Sequence, residues 1–125
     1  MLANLVKIEL KELYGDKWAD CSFIFRKPKA SEMMLVNQEQ INLQDINLQR
    51  EEENKTKLDA TQELIQAMEL TITQCFISGK FLDIDDNIVD ITKEQFAESC
   101  LDTQLVMHIL PKLVETVGLV NSNPE

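Results

Sequence analysis

The densest group of potential metal ligands in this sequence is an acidic segment that begins at Asp83. Asp83, Asp85, Asn87 and Glu94 occupy positions 1, 3, 5 and 12 of the pattern in which an EF-hand loop places its calcium ligands. Position 6, however, is Ile88, whereas the sharp turn of such a loop needs glycine. The sequence also contains no second loop of this kind. We therefore expect a capped acidic loop and no metal site.

The residues that could act as a nucleophile or a general base are isolated from one another. His108 is the only histidine, and its apolar helical segment supplies neither a nucleophile nor an orienting acid. Cys21, Cys75 and Cys100 are too widely spaced for a zinc motif, and three glycines are too few for a familiar phosphate-binding loop. The sequence thus predicts buried thiols in a reducing compartment, no catalytic residues and no cofactor.

The charge of the chain is strongly acidic after its first thirty residues. The 125 residues carry a net charge of −10, of which residues 1–30 contribute +2 (six basic, four acidic) and residues 31–125 contribute −12 (six basic, 18 acidic). Such a surface repels phosphates and anionic lipids, so we expect no direct binding to nucleic acid or membranes. Neither a membrane-spanning run of roughly 18 apolar residues nor a signal peptide is evident, which predicts a cytosolic protein.

The hydrophobic periodicity predicts a mainly α fold, of the α+β kind. Within residues 5–11, apolar and charged side chains alternate from Val6 onward, and Phe23 and Phe25 share one face of a second extended segment, which Pro28 ends. These two segments are expected to form an N-terminal antiparallel β-hairpin that packs on a bundle of about four helices. We expect a single domain over residues 1–120 and a disordered tail over 121–125.

Composition and capping signals place the helices. The first is expected from Ser31, which offers a capping oxygen, to about Glu53. The second carries apolar residues every three or four positions over 58–78, and Gly79 is expected to end it in a left-handed conformation. The remaining signals are a capping box at Thr92 and Gln95, an N-cap at Asp102, a kink or restart at Pro111 and a helix end at Gly118.

The first helix carries the residues that we expect to contact a partner. Residues 33–36 form a consecutive apolar run that one helix face cannot bury completely. Met34, Ile41 and Leu48 recur every seven residues, which is the spacing of a helix-pairing surface. For both features, packing within one subunit and contact with a partner stay open as alternatives. The candidate partner-binding or self-association residues are Met33, Met34, Leu35, Val36, Ile41 and Leu48.

The order of these parts resembles the small tail assembly chaperones of long-tailed bacteriophages. The resemblance covers most of the chain, although the polar segment 37–55 departs from the family layout. It lies in the hairpin ending in Phe23-Ile-Phe-Arg-Lys-Pro28, the helix beginning near Ser31-Glu32-Met33, the central helix closing at Phe76-Ile-Ser-Gly79, and the acidic loop leading into Ile91-Thr92-Lys93-Glu94.

The resemblance implies a non-enzymatic protein of the host cytoplasm. It implies a homo-oligomer that binds the long helical tape measure protein and keeps this client soluble during tail assembly. The acidic charge leaves a second function open, namely an inhibitor of the anti-restriction or anti-CRISPR type whose carboxylates imitate the phosphates of DNA. The alternative interpretation of the charge is that it simply keeps a small protein soluble.

Overall fold

The framework of the protein is a four-stranded antiparallel sheet. A computed structural model describes the backbone of residues 5–122 and the side chains of residues 5–114. The strands are Leu5–Glu9 (β1), Ser22–Arg26 (β2), Phe76–Leu82 (β3) and Ile88–Ile91 (β4), and they lie side by side in this order. The helices are Lys11–Tyr14 (α1), Ala30–Glu52 (α2), Gln62–Cys75 (α3), Lys93–Gln95 (α4) and Thr103–Ser122 (α5).

The predicted mainly α fold with one two-stranded hairpin is therefore wrong. The antiparallel pairing of its two strands is confirmed, since Val6 lies opposite Phe25 and Ile8 lies opposite Phe23. However, β2 also pairs with β3, and β3 pairs with β4. The expected hairpin is thus half of a larger sheet, and α2 and α3 form the connection between its two halves.

A β-bulge explains why β3 has the sequence pattern of a helix. The register between β2 and β3 skips Ile77, which is the extra residue of the bulge. Phe76 and Gly79, on either side of this extra residue, are consequently both buried although they lie three positions apart, and Leu82 at the end of the strand is buried as well. Such spacing also fits one face of a helix, whereas an unbroken strand would bury every second residue.

Gly79 lies in the middle of β3 and does not end a helix, contrary to the prediction. It pairs with Phe23 on the neighbouring strand. A Cβ atom at this position would lie 2.7 Å from Cδ1 of the Phe23 ring, which is closer than two non-bonded carbon atoms approach. Glycine is required here because the aromatic ring occupies the space of a side chain.

The predicted extent of α2 is confirmed, but its cap differs from the predicted one. Ser31 is already inside the helix, and Lys29 is the capping position. The backbone amide of Lys29 donates a 2.8 Å hydrogen bond to Oε1 of Glu32. The first turn is therefore stabilised by a carboxylate three residues into the helix.

The predicted caps of α4 and α5 are confirmed, whereas the predicted end of the last helix at Gly118 is wrong. The hydroxyl of Thr92 accepts from the amide of Gln95, and the carboxylate of Asp102 caps α5 by accepting from an amide at 2.7 Å. The chain is one continuous helix through Pro111 and Gly118. Of the predicted disordered tail, residues 123–125 lie outside the described part of the chain.

Phenylalanine rings form the centre of the core. Phe23 and Phe25 of β2 meet Phe76 of β3 and Phe96, which begins a π-helical turn after α4. The closest pair is Phe76 and Phe96, whose ring centroids are 4.5 Å apart. One face of the sheet thereby packs on the helices, whose core residues include Leu64, Ile72, Leu105, Ile109 and Leu113.

Candidate partner-binding surface

The acidic segment after Asp83 is the turn of a β-hairpin that joins β3 to β4. Oδ1 of Asp83 accepts hydrogen bonds of 2.9 Å from the amides of both Asp85 and Asn87. This carboxylate therefore shapes the turn by binding the backbone. Glu94, the last residue of the EF-hand-like pattern, belongs to α4 on the far side of β4. Among the side chains of residues 5–114, no three of His, Cys, Asp or Glu are grouped to hold a metal ion.

The three cysteines are buried free thiols, as predicted. Burial raises the pKa of Cys100 to about 11, and it also raises the pKa values of Cys21 and Cys75. The thiolate is the nucleophilic form of cysteine, so a raised pKa keeps these groups in their less reactive form at neutral pH.

His108 lies on α5 and is half-buried. Its Nε2 atom is buried and has no hydrogen-bond partner among the described residues. The described side chains thus supply neither an acid that orients this imidazole nor a nucleophile that it could activate.

The structure separates the candidate partner residues into different environments. Val36 is only 1% exposed and belongs to the core, so it cannot contact a partner directly. Met33 is half-buried and points into a groove between helices. Met34 and Leu35 are exposed on different sides of α2, because successive helical residues are about 100° apart. The apolar run of 33–36 is therefore not one surface.

Met34, Ile41 and Leu48 form an exposed line along α2, which we call the α2 ridge. Their exposed fractions are 68%, 52% and 63%. At about 100° per residue, the three side chains lie within roughly 40° of one another around the helix axis. Val36 and Leu43, by contrast, face the rest of the protein. The three side chains are thus exposed on the surface of the subunit and do not belong to its core.

A second apolar surface, which we call the methionine groove, lies between α2, α3 and α5. It has a volume of about 270 Å³. Met33, Met68 and Met107 line it together with Leu110, Pro111 and Val114, and the amide side chains of Asn37 and Gln40 lie at its α2 side. Three of the five methionines of the chain thereby meet in one place.

Met33 is among the partner-binding residues predicted from sequence, whereas Met68 and Met107 are not. Met68 lies 35 positions after Met33, and Met107 lies 39 positions after Met68, so no local sequence pattern joins them. One local signal does exist at Pro111. Since proline has no amide hydrogen, the carbonyl of Met107 lacks its usual helical donor on this side of α5.

Polar contacts at the start of α2 hold both surfaces in position. Arg26, at the end of β2, donates hydrogen bonds of 2.7 Å to both carboxylate oxygens of Glu32, and it donates a third, of 3.1 Å, to the carbonyl of Gln74 near the end of α3. The hydroxyl of Thr71 donates to the carbonyl of Glu32 at 3.2 Å. One strand and two helices are thus joined next to Met33.

The Arg26 guanidinium, assisted by the amide of Lys29, lowers the pKa of Glu32 to about 2. The carboxylate is therefore ionised throughout the neutral range and accepts from both groups. Its side chain is 17% exposed, so water screens the pair only in part.

Comparison with known proteins adds no relative. The chain matches no family model, no curated protein and no solved structure. None of the helices in residues 5–122 is both long enough and apolar enough to cross a membrane.

Proposed function

We propose that this protein is a non-enzymatic tail assembly chaperone of a long-tailed bacteriophage, and that it binds helical segments of the tape measure protein in the host cytoplasm. The observation that carries the proposal is the methionine groove, an apolar groove between α2, α3 and α5 with two amide side chains on its α2 side. A groove between two helices accepts the apolar face of a third helix, with anchors three or four residues apart.

The chemistry of the groove suits a long client better than one fixed ligand. Methionine side chains are unbranched and polarizable, so Met33, Met68 and Met107 can adapt to anchors of different shape. A tape measure protein offers many similar helical segments, which differ in detail. Asn37 and Gln40 can bond to polar groups on the edge of the client helix without requiring one sequence.

The net charge of −10 supports the same proposal. A protein that covers apolar segments of a long client must itself repel further copies of the complex, and excess charge of one sign does so. The same charge disfavours a nucleic acid as the occupant of the groove. The resemblance to the tail chaperones supports the choice of client, and it supports a homo-oligomer as the working form.

Co-expression with the tape measure protein of the same genome tests the proposal. We expect the client to stay in the soluble fraction and to copurify with the chaperone. Met107→Glu places a charge in the groove at a residue that is 41% exposed, and it should abolish copurification because a buried carboxylate would face an apolar client. Leu35→Glu is the matched control, since Leu35 is exposed on α2 outside the groove.

Two results would refute this function. One is a client that remains insoluble with the wild-type chain, and the other is equal copurification with the Met107→Glu variant. If the wild-type chain ignored the client and instead bound a basic DNA-processing enzyme with an affinity that falls steeply with salt, the DNA-mimic function would replace the one proposed here.

A further inference from the structure

The α2 ridge has a spacing that is symmetric about its central residue. Met34 lies seven residues before Ile41, and Leu48 lies seven residues after it. Each interval spans about 10 Å along the helix axis. If a second copy of α2 lies antiparallel across the ridge, Ile41 meets Ile41 of the second copy on a twofold axis. Met34 of each copy then meets Leu48 of the other, so all three layers of the contact are apolar on both sides.

The charged residues next to the ridge favour this direction of pairing. Asp45 and Glu52 lie within roughly 40° of the ridge around the helix axis. Parallel pairing in register would place each of them against the same residue of the second copy, and like charges in such positions repel. Antiparallel pairing instead moves the two Asp45 side chains apart and brings each to the level of Asn37 of the second copy. An amide group can donate a hydrogen bond to that carboxylate.

The ends of the ridge also become complementary in the antiparallel arrangement. Lys29 is exposed at the N-terminal end of α2, where the helix dipole is positive. Glu52 lies at the opposite end of the helix. Antiparallel pairing brings Glu52 of one copy toward the N-terminal end of α2 in the other, twice per dimer.

We infer that the α2 ridge is a homodimer interface in which two copies of α2 pair antiparallel, with Ile41 on the twofold axis. This inference deepens the self-association included in the proposed function by naming the surface and its direction. Asn37, at the α2 edge of the methionine groove, lies within about 40° of Ile41 around the helix axis, whereas Met33 lies about 80° from it. Each dimer contains two such grooves, and binding of one long client to both would raise its effective affinity without new contacts.

Disulfide trapping tests the direction of pairing. Met34→Cys protein mixed with Leu48→Cys protein should form a mixed disulfide dimer, because these positions meet across the antiparallel interface. Met34→Cys protein alone should not, since its two cysteines would lie about 21 Å apart along the axis. The wild-type chain, whose cysteines are buried, controls for background oxidation. A Met34→Cys homodimer as the main product would overturn the antiparallel arrangement.

Sedimentation of single variants, without any client, tests the interface itself. Ile41→Glu should weaken dimerisation on the order of 100-fold, because two carboxylates would meet on the twofold axis. Ile46→Glu on the same helix is the matched control, since Ile46 is exposed away from the ridge. An equimolar mixture of Ile41→Glu and Ile41→Lys proteins should recover the dimer, and this recovery would not follow from unfolding.

The two proposals fail in different ways. A wild-type chain that sediments as a monomer at every concentration would overturn the dimer, whatever the result of client copurification. An Ile41→Glu chain that remains dimeric would overturn the ridge as its interface. If the wild-type chain were monomeric and Ile41→Glu abolished client binding, the ridge would be a client surface and the dimer would be rejected.

Discussion

Arg26 and Glu32 form a bidentate ion pair, with two hydrogen bonds of 2.7 Å, between the end of β2 and the first turn of α2. The five residues between them make the corner where the chain passes from β2 into α2. Because Arg26 also donates to the carbonyl of Gln74, this one side chain links the strand to two helices. The position of Met33 in the groove, and of the ridge beyond it, depends on that corner.

We expect Glu32→Gln to lower the free energy of unfolding by about 1.5–3 kcal/mol at neutral pH, since it removes charge-assisted hydrogen bonds from a partly buried ion pair. The pKa of Glu32 is lowered from 4.5 to about 2 in the folded protein. The contribution of the pair is therefore complete above pH 4.5 and disappears as the pH falls to about 2.

Urea unfolding at a series of pH values measures this effect. The stability difference between wild type and Glu32→Gln should shrink as the pH falls through that window. Glu98→Gln, which removes an exposed carboxylate, controls for the change in net charge. A difference that stays constant down to pH 2 would show that the ion pair does not stabilise the fold.

Phe25→Ala should destabilise the protein by about 3–5 kcal/mol, because the ring is fully buried and contacts three other aromatic rings of the core. Chemical denaturation measures the loss. Ile24→Ala, on the opposite face of the same strand, should have a smaller effect because Ile24 is only half-buried. Equal effects of the two substitutions would contradict the assignment of the core face.

Gly79→Ala should destabilise the sheet by about 1–3 kcal/mol, since the added Cβ would collide with the Phe23 ring. Ser78→Ala is the control, because Ser78 is exposed on the neighbouring position of β3. Both free energies come from denaturation curves of the purified variants. A neutral Gly79→Ala substitution would mean that the ring can move aside.

Calcium should not stabilise the fold. The ligand atom Oδ1 of Asp83 is already used by two backbone amides, so Asp83→Ala should lower stability by about 1 kcal/mol, whereas Asp85→Ala should change it little. Thermal melts with calcium and with a chelator should coincide for the wild-type chain. A melting temperature that rises with calcium would contradict the prediction, because a bound ion stabilises the folded state.

The resemblance to the tail chaperones depends on a predicted order of strands and helices, which the structure corrects. The predicted pairing of β1 with β2 is present, but these two strands are half of a four-stranded sheet. The segment Phe76-Ile-Ser-Gly79 is strand and not the end of a central helix. The predicted layout is therefore wrong, and copurification through the methionine groove is the test of the proposed function.

The partner-binding residues could be predicted from sequence only up to the choice of helix. Met34, Ile41 and Leu48 share one side of α2 by their spacing alone. The spacing could not show that Val36 would be buried and Met33 half-buried, because either outcome depends on which side of α2 the other elements cover. Met68 and Met107 join the groove only through the packing of α3 and α5 against α2.

The sequence by itself determined the features that depend on neighbouring residues. The pairing of β1 with β2, the extent of α2, the capping box of Thr92 and Gln95 and the cap at Asp102 all follow from alternation, composition or a side chain within a few residues of its partner. The acidic charge is likewise a property of composition. These signals act over short distances and need no knowledge of the fold.

Only the tertiary structure decided what depends on contacts between distant segments. β3 pairs with β2 although α2 and α3 lie between them in sequence. The bulge gives this strand a spacing of buried residues that also fits a helix. Position 79 requires a glycine because of the Phe23 ring, which lies more than fifty residues away in sequence. The groove and the exposure of the ridge likewise depend on which side of α2 the other elements cover. The periodicity of a sequence shows which residues share a side of a helix, but it does not show which side is buried.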